Sequence, residues 1–108
     1  LIFIDNYPEP IPEIQLLMNK NPYSRYLECG SIGLKICRVA EGQANIFFKN
    51  VVLKDWDLVP PGLIIQEAGG SLLDTQGNAK TFFQNKNYEH SGVIAVSDPK
   101  IARKVVNA

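Results

Sequence analysis

Trp56-Asp57-Leu58-Val59-Pro60-Pro61-Gly62-Leu63-Ile64-Ile65-Gln66-Glu67-Ala68-Gly69-Gly70 sets an acidic residue before an apolar run of helical length and closes on two glycines. The run reads as a helix that follows Asp57 and stops at Gly69-Gly70. An aspartate at such a start has two readings. It is a plain N-cap, its oxygen accepting a free backbone N–H, or it holds a hard cation such as Mg²⁺ while the helix N–H groups and dipole favour an anion beside it. Asp55 adds a second carboxylate two residues away, and Trp56 is placed to shield the corner from water. Spacing alone does not make the corner a site.

Downstream of this helix, Ser71-Leu72-Leu73-Asp74 reads as a strand, Thr75-Gln76-Gly77-Asn78 as a turn, and residues 79–91 as a polar connection containing Phe82, Phe83 and Tyr88. Gly92-Val93-Ile94-Ala95-Val96 is a buried strand. Ser97 or Asp98 then caps a last helix, with Pro99 in its first turn and Ile101, Ala102, Val105 and Val106 on its inner face. Upstream, Ala44 to Lys49 is a strand rich in β-formers. Before it, Ser31 caps a helix in which Ile32, Ile36, Val39 and Ala40 fall at helical spacing and Gly42 supplies the stop. Tyr23 to Glu28 alternates as a strand does, Asn21-Pro22 breaks a short helix read over Ile11 to Lys20 with Pro12 and Glu13 suiting its first turn, and Leu1-Ile2-Phe3-Ile4 is a first strand. Strands and helices therefore alternate throughout. The pattern predicts an α/β fold, a layered α/β/α domain with a central mixed sheet and helices on both faces.

Composition bounds the rest. With 108 residues, 45% hydrophobic and 20% charged, the chain suits one ordinary globular domain. Eleven basic residues balance eleven acidic ones, which leaves no basic field for a polynucleotide. No apolar run approaches the roughly 20 residues needed to cross a bilayer, and a soluble, cytoplasmic protein is expected. Cys29 and Cys37 are too few for a disulfide framework and too far apart for a CxxC motif, so they read as buried cytosolic thiols. His90, with no second histidine or nearby cysteine, reads as a surface residue. A chain that opens inside a complete apolar strand also reads as a piece of a longer protein, cut at a domain boundary.

A second helix start resembles the first in kind. Gly30-Ser31 lets a ligand approach backbone N–H groups closely, or else is only a cap. Lys35 lies one turn further on the face of Ser31, and Lys49 ends a strand expected to run beside these helices. Each lysine is otherwise a solvated surface residue. Two helix N-termini, two lysines and a carboxylate would together suit a phosphate monoester held with Mg²⁺.

Gly30-Ser31-Ile32-Gly33-Leu34-Lys35-Ile36-Cys37-Arg38-Val39-Ala40-Glu41-Gly42-Gln43-Ala44, followed by Trp56-Asp57 and Glu67-Ala68-Gly69-Gly70, closely resembles the C-terminal half of the inositol monophosphatase family. That family also contains 3'(2'),5'-bisphosphate nucleotidases and fructose-1,6-bisphosphatases. The similarity is clear over about residues 23–78, with compatible flanks. It implies a Mg²⁺-dependent phosphomonoesterase in which Asp57 is a metal ligand and catalytic residue. Gly30, Ser31 and Ile32 match the segment that contacts substrate, and Lys35 and Lys49 match positions that do so in some branches. A basic residue at the Lys49 position is similar to the nucleotidases, where it meets a second phosphate; inositol monophosphatases tend to be acidic there. The favoured substrate is therefore a bisphosphate nucleotide, with an inositol or sugar phosphate as the alternative and a non-catalytic phosphate-binding domain as the reading from another class. The full-length protein is open to being a homodimer.

The chain also departs from the family pattern. Val59-Pro60-Pro61 stands where small residues are usual, and the prolines lack N–H groups near the helix start. Asn45 stands where many members have aspartate, and the connection from Lys49 to Asp57 is one residue longer than in inositol monophosphatases. The family's other metal ligands, in an Asp-Pro-Ile/Leu-Asp-Gly-Thr motif and an upstream glutamate, belong to an N-terminal half that is absent here. This chain alone is expected to have no appreciable phosphatase activity.

Overall fold

A computed structural model describes residues 1–83 and 88–103. The order of elements is β1 (Ile2–Asp5), α1 (Pro12–Lys20), β2 (Arg25–Glu28), α2 (Ile32–Ala40), β3 (Ile46–Lys49), β4 (Leu53–Lys54), α3 (Asp55–Glu67), β5 (Ser71–Leu73), β6 (Glu89–His90) and β7 (Val93–Val96), followed by a 3₁₀ turn at Pro99–Ile101. Five strands form one sheet in the order β2-β1-β3-β7-β5, and β4 pairs with β6 in a separate ladder. β1 runs parallel to both β2 and β3, whereas β7 is antiparallel to β3 and to β5. The sheet is mixed, as the alternation of elements predicts.

Side chains of successive strand residues point to opposite faces, and each face has its own core. Ile4, Phe47, Leu72, Val93 and Ala95 pack with Ile36 and Val39 of α2 and Leu58 and Ile65 of α3. Phe3, Ile46, Leu73, Ile94 and Val96 pack with Ile14 of α1 and with Ala102. Helices thus cover both faces. Asp98 accepts from the Lys100 N–H and starts the final turn; the continuation proposed through Val105 and Val106 lies outside the described residues.

The two glycines that stop α3 act differently. Gly69 takes a left-handed φ of 90°, and a Cβ on Gly70 would run into the Val96 carbonyl and the Ile65 side chain. The first turns the chain, and the second lets it enter β5 against β7. Asn45 ties two elements together: its Oδ1 accepts from Ile2 N–H at 2.8 Å while its Nδ2 donates to Ser97 Oγ at 3.4 Å.

Several local expectations are corrected. α3 begins at Asp55, with Lys54 as N-cap, so Asp57 is the third helical residue and no N-cap. Its carboxylate instead accepts from the Lys54 N–H at 3.0 Å. Pro60 and Pro61 accordingly lie past the first turn, inside the helix, where they remove the bonds that would reach the carbonyls of Trp56 and Asp57. Trp56, expected to shield the corner from water, is itself 64% exposed, and both cysteines are half-buried. β2 begins at Arg25, two residues later than the alternation predicts.

Candidate functional site

Open α/β sheets receive ligands in the crevice outside the carboxyl ends of their parallel strands, where successive crossovers leave to opposite faces. Here β1 leads into α1 on one face, and β2 leads into α2 on the other. The carboxyl ends of β1 and β3 are adjacent because those strands pair in parallel. Asp5 and Asn6 close β1, Lys49 closes β3, and Cys29-Gly30-Ser31 carries β2 into α2.

The polar groups at these ends converge. Lys49 Nζ donates to Asp5 Oδ1 at 2.8 Å and to Asn6 Oδ1 at 2.7 Å, and it lies 4.4 Å from the centroid of the Tyr7 ring. Lys35 Nζ reaches the same Asn6 oxygen at 3.4 Å and lies 5.2 Å from the Phe47 ring. Neither lysine is the solvated surface residue of the plain reading: Lys35 is 2% exposed and Lys49 8%. Burial, and then the neighbouring Lys49 ammonium, hold Lys35 below its usual 10.5, while Asp5 and Cys29 oppose the shift. Asp5 Oδ1 also accepts from the Asn6 N–H, and Asp5 Oδ2 is buried without a hydrogen-bond partner among the described residues. Two ammonium groups facing one carboxylate leave the corner with surplus positive charge.

The start of α2 borders this corner. Ser31 is the N-cap, with its Oγ accepting from the Leu34 N–H at 3.3 Å. Its φ of 63° is rare for a residue with a Cβ and marks a constrained turn. Helix geometry leaves the N–H groups of Ile32 and Gly33 without intrahelical acceptors. Nothing lies within 4 Å of a Cβ built on Gly30, so the approach is open.

Asp57 sits apart from the lysines in its bonding, its carboxylate held by Lys54 at the start of α3. Asp55, read as a second carboxylate for a cation, is committed elsewhere. It is buried, with Oδ1 2.6 Å from His90 Nε2 and Oδ2 accepting from the Phe83 N–H at 2.9 Å. His90 is therefore no surface residue: it is 3% exposed and stacks edge-on against Phe82. The β4–β6 ladder puts Leu53 opposite His90, and Lys54 pairs with Glu89 at 2.9 Å. This brace fixes the Lys54 N–H that orients Asp57.

Among the described residues no group of three His, Cys, Asp or Glu side chains could hold a metal ion. A Mg²⁺ ion takes near-octahedral oxygen ligands and is bound through carboxylates with waters and substrate phosphates. The one carboxylate at Asp57 does not make that set, so these residues do not fit a complete magnesium site. No helix among them is long and apolar enough to cross a membrane.

These features define an α/β domain with a cationic, helix-capped corner where open sheets take their ligands. The chain belongs to the inositol monophosphatase family, a family of phosphatases, whose model matches residues 6–108. It is 33% identical over 78 residues to the Nus factor SuhB of Pasteurella multocida, across 72% of this chain and 26% of that protein. It is 37% identical over 73 residues to 3'(2'),5'-bisphosphate nucleotidase 1 of Mus musculus, across 64% of this chain and 23% of that protein. The chain thus spans about a quarter of the length of the curated relatives it matches. Among solved structures, CysQ from Bacteroides thetaiotaomicron superposes with a TM-score of 0.75 at 22% identity, over 89% of this chain and 36% of that one. That likeness establishes the fold.

Asp5, Asn6, Tyr7 and His90 escape a reading by motif. A signal for the first two was present, since Asp5-Asn6 directly follows a fully apolar strand and so falls at a carboxyl end. His90 carried no such signal, because its partner lies 35 residues away in sequence.

Proposed function

We propose that this chain is the C-terminal α/β part of a Mg²⁺-dependent phosphomonoesterase two to three times its length, acting on small phosphorylated metabolites in the cytoplasm. The observation that carries the reading is the convergence of two buried ammonium groups on the Asn6 side chain, beside the open start of α2. A phosphate dianion there would meet the surplus charge and the free N–H groups of Ile32 and Gly33. Asp57 is the chain's contribution to the metal site, and the remaining ligands come from the preceding part of the parent. Bound Mg²⁺ would polarise the phosphoryl group and activate a water. Without those ligands the isolated chain is inactive.

The favoured substrate is a 3'(2'),5'-bisphosphate nucleotide, because two cations suit two phosphates. An inositol or sugar monophosphate is the alternative within the class, and relatives bearing both kinds of name match this chain. Lys35 separates the two better than Lys49 does, since removing Lys49 also strands the Asp5 carboxylate. In the full-length parent, Lys35→Met should lower kcat/KM for the bisphosphate by about 10-fold or more, the worth of one charge-assisted hydrogen bond, and lower that for inositol 1-phosphate less. Equal losses would remove the preference for the nucleotide. Asp57→Asn should abolish Mg²⁺-dependent turnover with the far-UV spectrum unchanged; undiminished turnover would sink the metal-ligand role.

A further inference from the structure

The turn after β5 and the end of the β4–β6 ladder face each other across a cavity of about 420 Å³, within the range of small-molecule sites. One wall is fixed by the sheet edge: Asp74 N–H donates to the Asn78 carbonyl at 2.7 Å, Ala79 bridges to Leu73, and Lys80 N–H donates to the Leu72 carbonyl at 3.1 Å. These bonds set Asp74, Lys80 and Thr81 along that wall. Glu89, His90 and Ser91 line the other, where the ladder holds them.

Several polar atoms of the cavity are already engaged. Asp74 Oδ1 accepts from the N–H groups of Gln76 and Asn78, Glu89 Oε1 accepts from Lys54 Nζ, and His90 Nε2 lies against Asp55. Three charged groups keep unused capacity. The Lys80 ammonium makes no hydrogen bond or ion pair among the described residues, and neither do the second carboxylate oxygens of Asp74 and Glu89. Lys80 is half-buried, and burial holds its pKa below the usual 10.5; Asp74 opposes the shift without forming an ion pair with it. An anion would relieve an ammonium that burial penalises. A simple anion, however, would also face two carboxylates, and a simple cation would face Lys80. A ligand carrying both signs answers each group with its opposite.

We propose that this cavity binds a small zwitterion of the amino-acid class, its carboxylate held by Lys80 with the Thr81 and Ser91 hydroxyls and its ammonium held by the free carboxylate oxygens of Asp74 and Glu89. The inference goes beyond the phosphatase reading and does not depend on it. The cavity shares no residue with the corner of Lys35, Lys49 and the start of α2.

Titration of L-serine into this chain and into the full-length polypeptide that carries it, followed by amide shifts in NMR, tests the proposal. The amides of Lys80, Thr81 and Ser91 should move saturably in both proteins, while those of Ile32 and Gly33 stay in place. Acetate, ethanolamine and sorbitol, which supply one charge or none, should each bind about 10-fold or more weakly than serine, the worth of one charge-assisted hydrogen bond. Lys80→Met should weaken serine by the same factor. Asp74→Asn, which keeps an oxygen for the Gln76 and Asn78 N–H groups, should also weaken it. Absence of a saturable shift in the full-length protein would overturn the proposal. Shifts centred on Ile32 and Gly33, acetate or sorbitol binding as tightly as serine, or undiminished binding by Lys80→Met would overturn it too. The comparison of the four probes needs no variant, so it decides the matter even if a substitution disturbs the turn.

Discussion

Lys49 and Asp5 form a buried ion pair, so removing one member takes away the other's direct partner. Lys49→Met should destabilise the isolated chain by about 3 to 5 kcal/mol in urea titrations, and adding Asp5→Asn should restore much of the loss. A Lys49→Met loss below about 1 kcal/mol would contradict a desolvated pair. Lys35 behaves differently, because it is an ammonium that burial penalises. Its folded-state pKa lies below the ordinary 10.5, so between those two values the unfolded chain binds the extra proton and stability rises with pH. Lys35→Met removes the penalty, and its stabilising effect should be larger at pH 7 than at pH 10; a difference that does not change with pH would count against the buried ammonium. Both lysines were visible as candidates in the sequence. Their burial was not, because it depends on Asp5 and Asn6 being carried beside them by a parallel pairing that joins residues more than 40 positions apart.

At the scale of elements, the brace at the start of α3 is the most testable unit. His90→Ala would leave Asp55 Oδ1 without its partner inside the fold and open a cavity beside Phe82, a loss of about 2 to 4 kcal/mol by thermal or urea unfolding. A surface histidine would show almost none. Pro60 is exposed within a continuous helix, so Pro60→Ala restores an N–H toward the Trp56 carbonyl and should stabilise the chain by about 2 kcal/mol, after the proline's stiffening of the unfolded state is offset. Nearly every element of the fold was legible from periodicity and punctuation, since apolar runs such as Val93 to Val96 and stops such as Gly69-Gly70 act locally. The start of α3 was not. An aspartate three residues into a helix and one at its cap give the same sequence signal, and here the reciprocal bond to Lys54 decides between them. The β4–β6 ladder was also hidden, being two residues on each side and closed by a distant pairing.

For the whole molecule, a layered domain has brought two lysines and a helix start together at one end of its sheet, and it offers a single carboxylate at Asp57 for a metal. The proposed sharing of a site with the rest of a longer polypeptide would account for both the corner and its incompleteness. The direct measurement is phosphate release with Mg²⁺ from 3'-phosphoadenosine 5'-phosphate and from inositol 1-phosphate, by the full-length parent and by this chain in parallel. Turnover confined to the parent, and faster on the bisphosphate, is the expected result. Turnover by this chain alone, or none by the parent on either substrate, would contradict the shared metal-dependent site.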